Sequence, residues 1–79
     1  MDIYMEKPGQ EERSLSHLSI HQYDAHYAVE EVVGTVDQSG RRHGEIVLLA
    51  ADLSKVDAER RYRDEIEARK RVGFRPASR

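Results

Sequence analysis

The stretch E-I-V-L-L-A-A-D at positions 45–52 is apolar on both sides of an extended chain. Successive side chains of a β-strand point to opposite faces, so residues 46, 48 and 50 share one face and residues 47, 49 and 51 share the other. A strand of this kind is stable only when both of its faces are covered. We therefore predict a strand here, with a helix over one face and a second protein chain over the other.

The helix is predicted directly after this strand, where the local signals are strongest. Ser54 is a suitable N-cap with Asp57 three residues later, and Gly73 is a suitable stop. Twelve of the seventeen residues from 55 to 71 are charged, and acid-first pairs such as Glu65 and Arg69 stand at i,i+4 spacing. The apolar stripe is narrow and consists of Ala58, Tyr62 and Ile66.

Two further strands are predicted before residue 45. Residues 16–23 alternate between apolar and polar side chains, as in a half-buried strand. Valines in residues 27–36 recur at a spacing that also suits a helix, but β-branched side chains favour a strand. The choice between strand and helix stays open for residues 24–36, and turn residues at 37–44 predict a hairpin loop.

These elements predict an α+β fold: a small three-stranded antiparallel sheet with one C-terminal α-helix packed on one face. Residues 1–14 contain a Pro-Gly pair and no sustained period, so we expect a disordered, flexible N-terminal arm. Residues 15–74 form the single α+β domain, and residues 75–79 a basic C-terminal tail. A chain of 79 residues without cysteine has a small core and no disulfide, which leaves oligomerisation as a source of stability.

Composition also limits the compartment and the chemistry. The longest apolar run, residues 46–51, is too short to span a bilayer, and the N-terminus lacks the pattern of a signal peptide. We expect a cytoplasmic protein with no membrane partner. The net charge of −2 is divided unevenly, with −6 in residues 1–40 and +4 in residues 41–79.

Three histidines, His17, His21 and His26, raise the question of a metal site. On a strand His17 and His21 lie about 13 Å apart, whereas two ligands of one zinc ion each lie about 2 Å from it. We therefore predict no metal site and no cofactor. Ser19 and His21 lie near each other in sequence, but nothing indicates the strained nucleophile turn or the oxyanion site of a hydrolase, so we predict a protein that is not an enzyme.

The function that we predict is a non-catalytic protein-interaction module. It would be an adaptor or inhibitor acting by surface occupation, such as a phage or mobile-element inhibitor of a host defence nuclease, and it would form a homodimer. An acidic patch would imitate nucleic-acid phosphates; its residues are Asp24, Glu30, Glu31 and Asp37. The oligomer or partner interface is predicted at Val47, Leu49, Tyr62 and Ile66.

The alternative function is that of a small nucleic-acid-associated regulator. Surface cations suit phosphate contacts, and the candidates are Arg41, Arg42, Arg69, Lys70 and Arg71. The isoelectric point of about 6.1 and the lack of aromatic side chains among the cations favour the protein partner instead.

Overall fold

The computed structural model describes residues 1–78, which form a five-stranded antiparallel sheet and one helix. The elements are β1 (Asp2–Lys7), β2 (Arg13–Tyr23), β3 (His26–Val36), β4 (Arg42–Leu53), α1 (Lys55–Arg71) and β5 (Arg75–Pro76). The strand order in the sheet is β4-β3-β2-β1-β5. The α+β class and the C-terminal helix agree with the sequence prediction, but the prediction of a three-stranded sheet was wrong.

The prediction of a disordered N-terminal arm was also wrong. Residues 2–7 form β1 and pair with β2 along their whole length. Met5 is fully buried beneath α1, and Tyr4, on the opposite face, is 6% exposed. Six residues are too few for a clear alternating pattern, and the polar and charged residues that follow them give no further strand signal.

The C-terminal residues add the other missing strand. Arg75 and Pro76 pair with β1, and the backbone N–H of Ala77 donates to the carbonyl of Tyr4 over 3.1 Å. Arg79, the last residue of the predicted basic tail, lies outside the described residues.

The two central hairpins are set by their turns. Tyr23 and His26 are paired across a two-residue turn in which Asp24 has φ 55°, a left-handed conformation that Asp tolerates better than most residues. In the β3–β4 turn, the Asp37 side chain accepts hydrogen bonds from the N–H groups of residues 39 and 41. The segment 26–36 is therefore a strand, and its stiff valine side chains fit that conformation.

Strand β4 departs from regular pairing beyond Leu48. The register against β3 shifts on both sides of Val29, so β4 carries two bulges, and Asp52 has φ 56°. The strict alternation that we predicted for residues 46–51 therefore holds only to Leu48. Because of the bulges, Leu49 and Leu53 both pack toward the core beside α1.

The helix begins and ends where the sequence predicts. The Ser54 hydroxyl accepts a hydrogen bond from the N–H of Asp57 at 3.1 Å. At the other end, the N–H of Gly73 donates to Lys70 and that of Phe74 donates to Arg69, each at 3.1 Å. Gly73 has φ 111°, so these bonds form a Schellman motif that a glycine accommodates without strain.

The main core lies between α1 and one face of the sheet, and its buried members are Met5, Leu18, Val29, Ala58 and Tyr62. The opposite face, which we call the open face, has a smaller buried cluster of Tyr4, Leu15 and Val36 near one end. A single helix over long strands makes a thin molecule. The radius of gyration is 13.2 Å, against about 11.6 Å for a typical domain of this length.

Candidate functional site

A row of polar side chains from β2 occupies the open face. His17 Nε2 lies 2.6 Å from a carboxylate oxygen of Asp2 on β1. His21 Nε2 lies 2.9 Å from the Ser19 hydroxyl and 3.4 Å from a carboxylate oxygen of Glu30 on β3. The other oxygen of Glu30 accepts a hydrogen bond from the Tyr23 hydroxyl at 2.8 Å, which raises the pKa of Tyr23. The row therefore forms two separate histidine–carboxylate contacts.

This geometry bears on both kinds of chemistry considered for the histidines. Within residues 1–78, no three side chains of the metal-binding types are grouped so that they could hold an ion. Ser19, His21 and Glu30 resemble a catalytic triad only in composition. A triad uses opposite ring nitrogens for the serine and the acid, whereas both groups here approach Nε2 of His21.

Two shallow depressions lie on the open face beside β4. The larger encloses about 470 Å³; Val32 and Ile46 are among its apolar lining residues, and Asp2, His17, His21 and Glu30 are among its polar ones. The second encloses about 420 Å³ near the β2–β3 turn and includes Leu48. Since Ile46 lines one depression and Leu48 the other, the apolar part of β4 separates the two.

One end of the open face is closed by Arg42. Its guanidinium lies 4.9 Å from the centre of the Tyr4 ring, and its Nε donates to the Tyr4 oxygen at 3.1 Å. The Tyr4 hydroxyl donates to Glu6 at 2.6 Å, and Glu6 also pairs with Arg13 at 2.7 Å. Burial raises the pKa of Tyr4, and the hydrogen bond to Glu6 raises it further. This end of the face is therefore filled by the chain's own side chains.

Strand β4, at one edge of the sheet, carries the two most exposed large apolar side chains of the sheet, Ile46 and Leu48, and between them the partly exposed Val47. Ile46 is 75% exposed, Leu48 60% and Val47 37%. Within residues 1–78, no strand pairs with that edge, because β4 ends the sheet. We call Ile46, Val47 and Leu48, together with the unpaired backbone of β4, the β4 edge.

An ion-pair network fixes α1 to the sheet on the other face. The Arg69 guanidinium donates to both oxygens of Glu31, at 2.7 and 2.8 Å, and to Glu65 at 2.6 Å. The Ser16 hydroxyl donates to Glu31 at 2.6 Å, and the pair is largely buried, with side chains 18% and 6% exposed for Arg69 and Glu31. The hydrogen bonds to Glu31 raise the pKa of Arg69, although burial opposes this. Every polar group of this pair is thus engaged within the fold.

The four residues of the predicted acidic patch do not lie together. Asp24 and Asp37 stand in the turns at opposite ends of β3, about 35 Å apart at the usual rise per residue. Glu30 is on the open face, and Glu31 is buried on the other face beneath α1. Asp37 is held within its own turn, where hydrogen bonds from the Ser39 hydroxyl first and then from His43 keep its pKa well below the ordinary 3.8.

The predicted basic residues are also divided. Arg42 is stacked on Tyr4, and Arg69 is buried against Glu31. Arg41 lies exposed in the β3–β4 turn, while Lys70 and Arg71 lie in the last turn of α1. Arg69 is therefore engaged inside the fold, Arg42 is exposed but stacked on Tyr4, and Lys70 lies 3.9 Å from a carboxylate oxygen of Glu67.

Of the predicted interface residues, Val47 lies on the β4 edge, while the other three face inward. Tyr62 is a buried member of the main core, and Leu49 and Ile66 pack against it. Sequence reasoning did not find the Tyr4–Arg42 or the Glu31–Arg69 contact, each of which joins residues 38 apart. Glu31, an acid in a valine-rich strand, was a usable signal for a buried charge that requires a partner.

Comparison with known proteins found no matching family model, no matching curated protein and no matching solved structure. Across residues 1–78, no helix has the length and apolar character needed to cross a membrane.

Proposed function

We propose that this protein is a non-catalytic interaction module that binds another protein chain through the β4 edge. The observation that carries the proposal is the exposure of Ile46, Val47 and Leu48 on a terminal strand. Such an edge presents backbone N–H and C=O groups that an incoming strand can pair with, while its side chains supply apolar contacts. The mode of action is occupation of a surface.

The contrast between the two sheet edges supports this choice. Proteins commonly protect a free edge with a short strand, a proline, charged side chains or a β-bulge. The β5 edge is only two residues long and contains Pro76. Strand β4 is twelve residues long and contains no proline. Its charged residues and its two bulges lie on either side of residues 46–48, which expose apolar side chains. The protein thus protects the β5 edge and leaves residues 46–48 of the β4 edge open to pairing.

Burial of the apolar side chains of the β4 edge supplies part of the free energy of a specific contact. Full burial of an aliphatic side chain contributes about 1.5–3 kcal/mol. Scaled by exposures of 75% and 60%, burial of Ile46 and Leu48 contributes about 2–4 kcal/mol. Micromolar affinity requires about 8 kcal/mol, so backbone pairing and contacts in the two depressions must supply the remainder.

Three finer parts of the predicted function are phosphate imitation, inhibition and a cytoplasmic location. Phosphate imitation is left out of the proposal, because the four acids are spread over both ends and both faces of the sheet. Inhibition remains one way in which surface occupation would act. The cytoplasm stays the proposed location, since a cysteine-free chain needs no oxidising compartment.

The test is site-specific photo-crosslinking in cells. A photoreactive amino acid replaces Glu45, which is exposed on β4, and in a matched protein it replaces Arg63, which is exposed on α1. We expect crosslinks to protein chains, whether identical or different, from position 45 and few from position 63.

The control is a pair of variants with equal numbers of substitutions. Ile46→Lys/Leu48→Lys changes the β4 edge, and Val56→Lys/Val72→Lys changes two helix-end valines that are 64% and 57% exposed. The first variant should abolish crosslinking from position 45, and the second should leave it unchanged. Equal crosslinking in both variants, or equal yields from both positions, would refute the proposal.

A further inference from the structure

The exposed part of β4 is self-complementary about one residue. Ile46 and Leu48 flank Val47 and lie on the open face, opposite Val32 and Glu30 of β3. If two copies of β4 pair antiparallel with Val47 opposite Val47, Ile46 of each copy stands opposite Leu48 of the other. Aliphatic pairs placed directly across two strands stabilise a sheet.

From this arrangement we infer that the chain bound by the β4 edge is a second copy of this protein, joined β4 to β4 with Val47 on the twofold axis. The inference rests on the proposed function and names its partner. An antiparallel pair of this kind has its axis perpendicular to the sheet, so the two sheets continue into one another. Both helices then lie on one side and both open faces on the other.

The register follows from the residues available for pairing. A twofold antiparallel pair places residues of the same face opposite each other, so the axis passes through a residue position. Centred on Ile46, the pair would set Val47 against the charged Glu45. Centred on Leu48, it would set Ile46 and Val47 against residues 50 and 49, where the bulges interrupt the strand. The register centred on Val47 pairs the three exposed side chains with one another inside the regular segment.

The charges of β4 agree with this register. Arg42, which stays exposed although it is stacked on Tyr4, stands at the start of the strand, and the exposed Asp52 stands near its end. An antiparallel pair centred on Val47 places the basic start of each copy beside the acidic end of the other. The exposed Arg42 of each copy therefore lies toward Asp52 of the other, which favours a second copy in the antiparallel direction, while Ile46, Val47 and Leu48 before the bulges decide the register.

The first test is the solution mass of the full chain by light scattering over a range of concentrations. The native protein and the Val56→Lys/Val72→Lys control should reach twice the 9.1 kDa monomer mass. The Ile46→Lys/Leu48→Lys variant should remain at the monomer mass with an unchanged circular dichroism spectrum. A native protein that is monomeric at all concentrations overturns the inference, as does a dimer that persists in the variant.

The second test fixes the register and needs no disruptive change. Because the chain has no cysteine, a single Val47→Cys substitution provides one thiol per copy. Residues directly opposite in an antiparallel pair have Cα atoms about 4.5–5.5 Å apart, which suits a disulfide. Val47→Cys should oxidise to a covalent dimer at least about tenfold faster than Val56→Cys on the helix; equal rates would overturn the inference.

The outcomes separate this inference from the proposed function. If the native protein is monomeric but position 45 crosslinks to a different protein, the second copy is the wrong partner and the interaction module stands. If the protein is monomeric and position 45 gives no protein crosslink, both proposals fail.

Discussion

Replacement of Arg69 by methionine tests the ion pair that joins α1 to β3. Methionine keeps an unbranched stem that packs against the core but removes all the donors. Glu31, whose side chain is 6% exposed, then retains the Ser16 hydroxyl as its hydrogen-bond donor among the contacts described above. Removal of one partner of a buried ion pair costs about 3–5 kcal/mol, because the other charge stays desolvated. Since Arg69 is 18% exposed, we expect the low end, about 3 kcal/mol.

A loss of this size is large for the molecule. A domain of this length has a free energy of unfolding of about 4–12 kcal/mol. Urea unfolding, followed by far-ultraviolet circular dichroism because the chain has no tryptophan, measures the change. At a slope of about 1 kcal/mol per molar urea, the midpoint should fall by about 3 M.

Two control variants make the result specific. Arg61→Met removes a more exposed ion pair with Glu65, in which the arginine side chain is 45% exposed, and should cost less than about 1 kcal/mol. The double variant Glu31→Leu/Arg69→Met leaves no unpaired charge at the site and should recover most of the loss. A stabilising buried ion pair is ruled out if Arg69→Met costs no more than Arg61→Met, or if the double variant is no more stable than the single one.

Three further changes test the β3–β4 turn, the close packing of β3 against β4 at Gly34, and the N-cap of α1. Hydrogen bonds, first from the Ser39 hydroxyl, lower the pKa of Asp37 in the folded protein. The ionised Asp37 carboxylate therefore stabilises the fold fully above its unfolded-state pKa, and this contribution is lost as the pH falls toward the folded-state pKa. Asp37→Asn should lower the melting temperature at pH 7, by an amount that shrinks below about pH 4. In Gly34→Ala the added Cβ would lie 1.7 Å from the carbonyl oxygen of His43, which is backbone and cannot move aside, so thermal unfolding should show a loss of about 3 kcal/mol, whereas a neutral result would contradict the β3–β4 register. Ser54→Ala should cost about 1 kcal/mol in urea unfolding, and Ser54→Asn should restore it if capping is the cause.

Local signals predicted the elements that local interactions determine. Ser54 and Gly73 fixed the bounds of α1, because a cap and a Schellman motif involve only neighbouring residues. Alternation in residues 16–23 predicted part of β2. The apolar residues on both sides of β4 led us to predict an interface that includes Val47 and Leu49, whereas the most exposed large apolar side chains of the strand are Ile46 and Leu48, on the opposite face. The identity of whatever covers that surface remains a prediction.

Features that depend on distant residues were not predictable in the same way. Strand β1 forms because Ile3 and Met5 pack beneath α1 and because its backbone pairs with β2. Its six residues give little periodic signal of their own. The bulges in β4 arise from its pairing with β3, so strict alternation was assumed too far along the strand. Glu31 was assigned to the surface because its partner, Arg69, lies 38 residues away.

Hydrogen exchange at the backbone amides of residues 45–49, measured by NMR over a range of protein concentrations, tests the β4 edge most directly. In an antiparallel edge strand about every second amide points away from the sheet and exchanges quickly unless another chain pairs with it. These outward amides should become protected as the concentration rises, while the amides of β2 and the exposed amides before β5 should not change. Fast exchange of the outward amides at every concentration, with or without cell extract, would contradict pairing at the β4 edge.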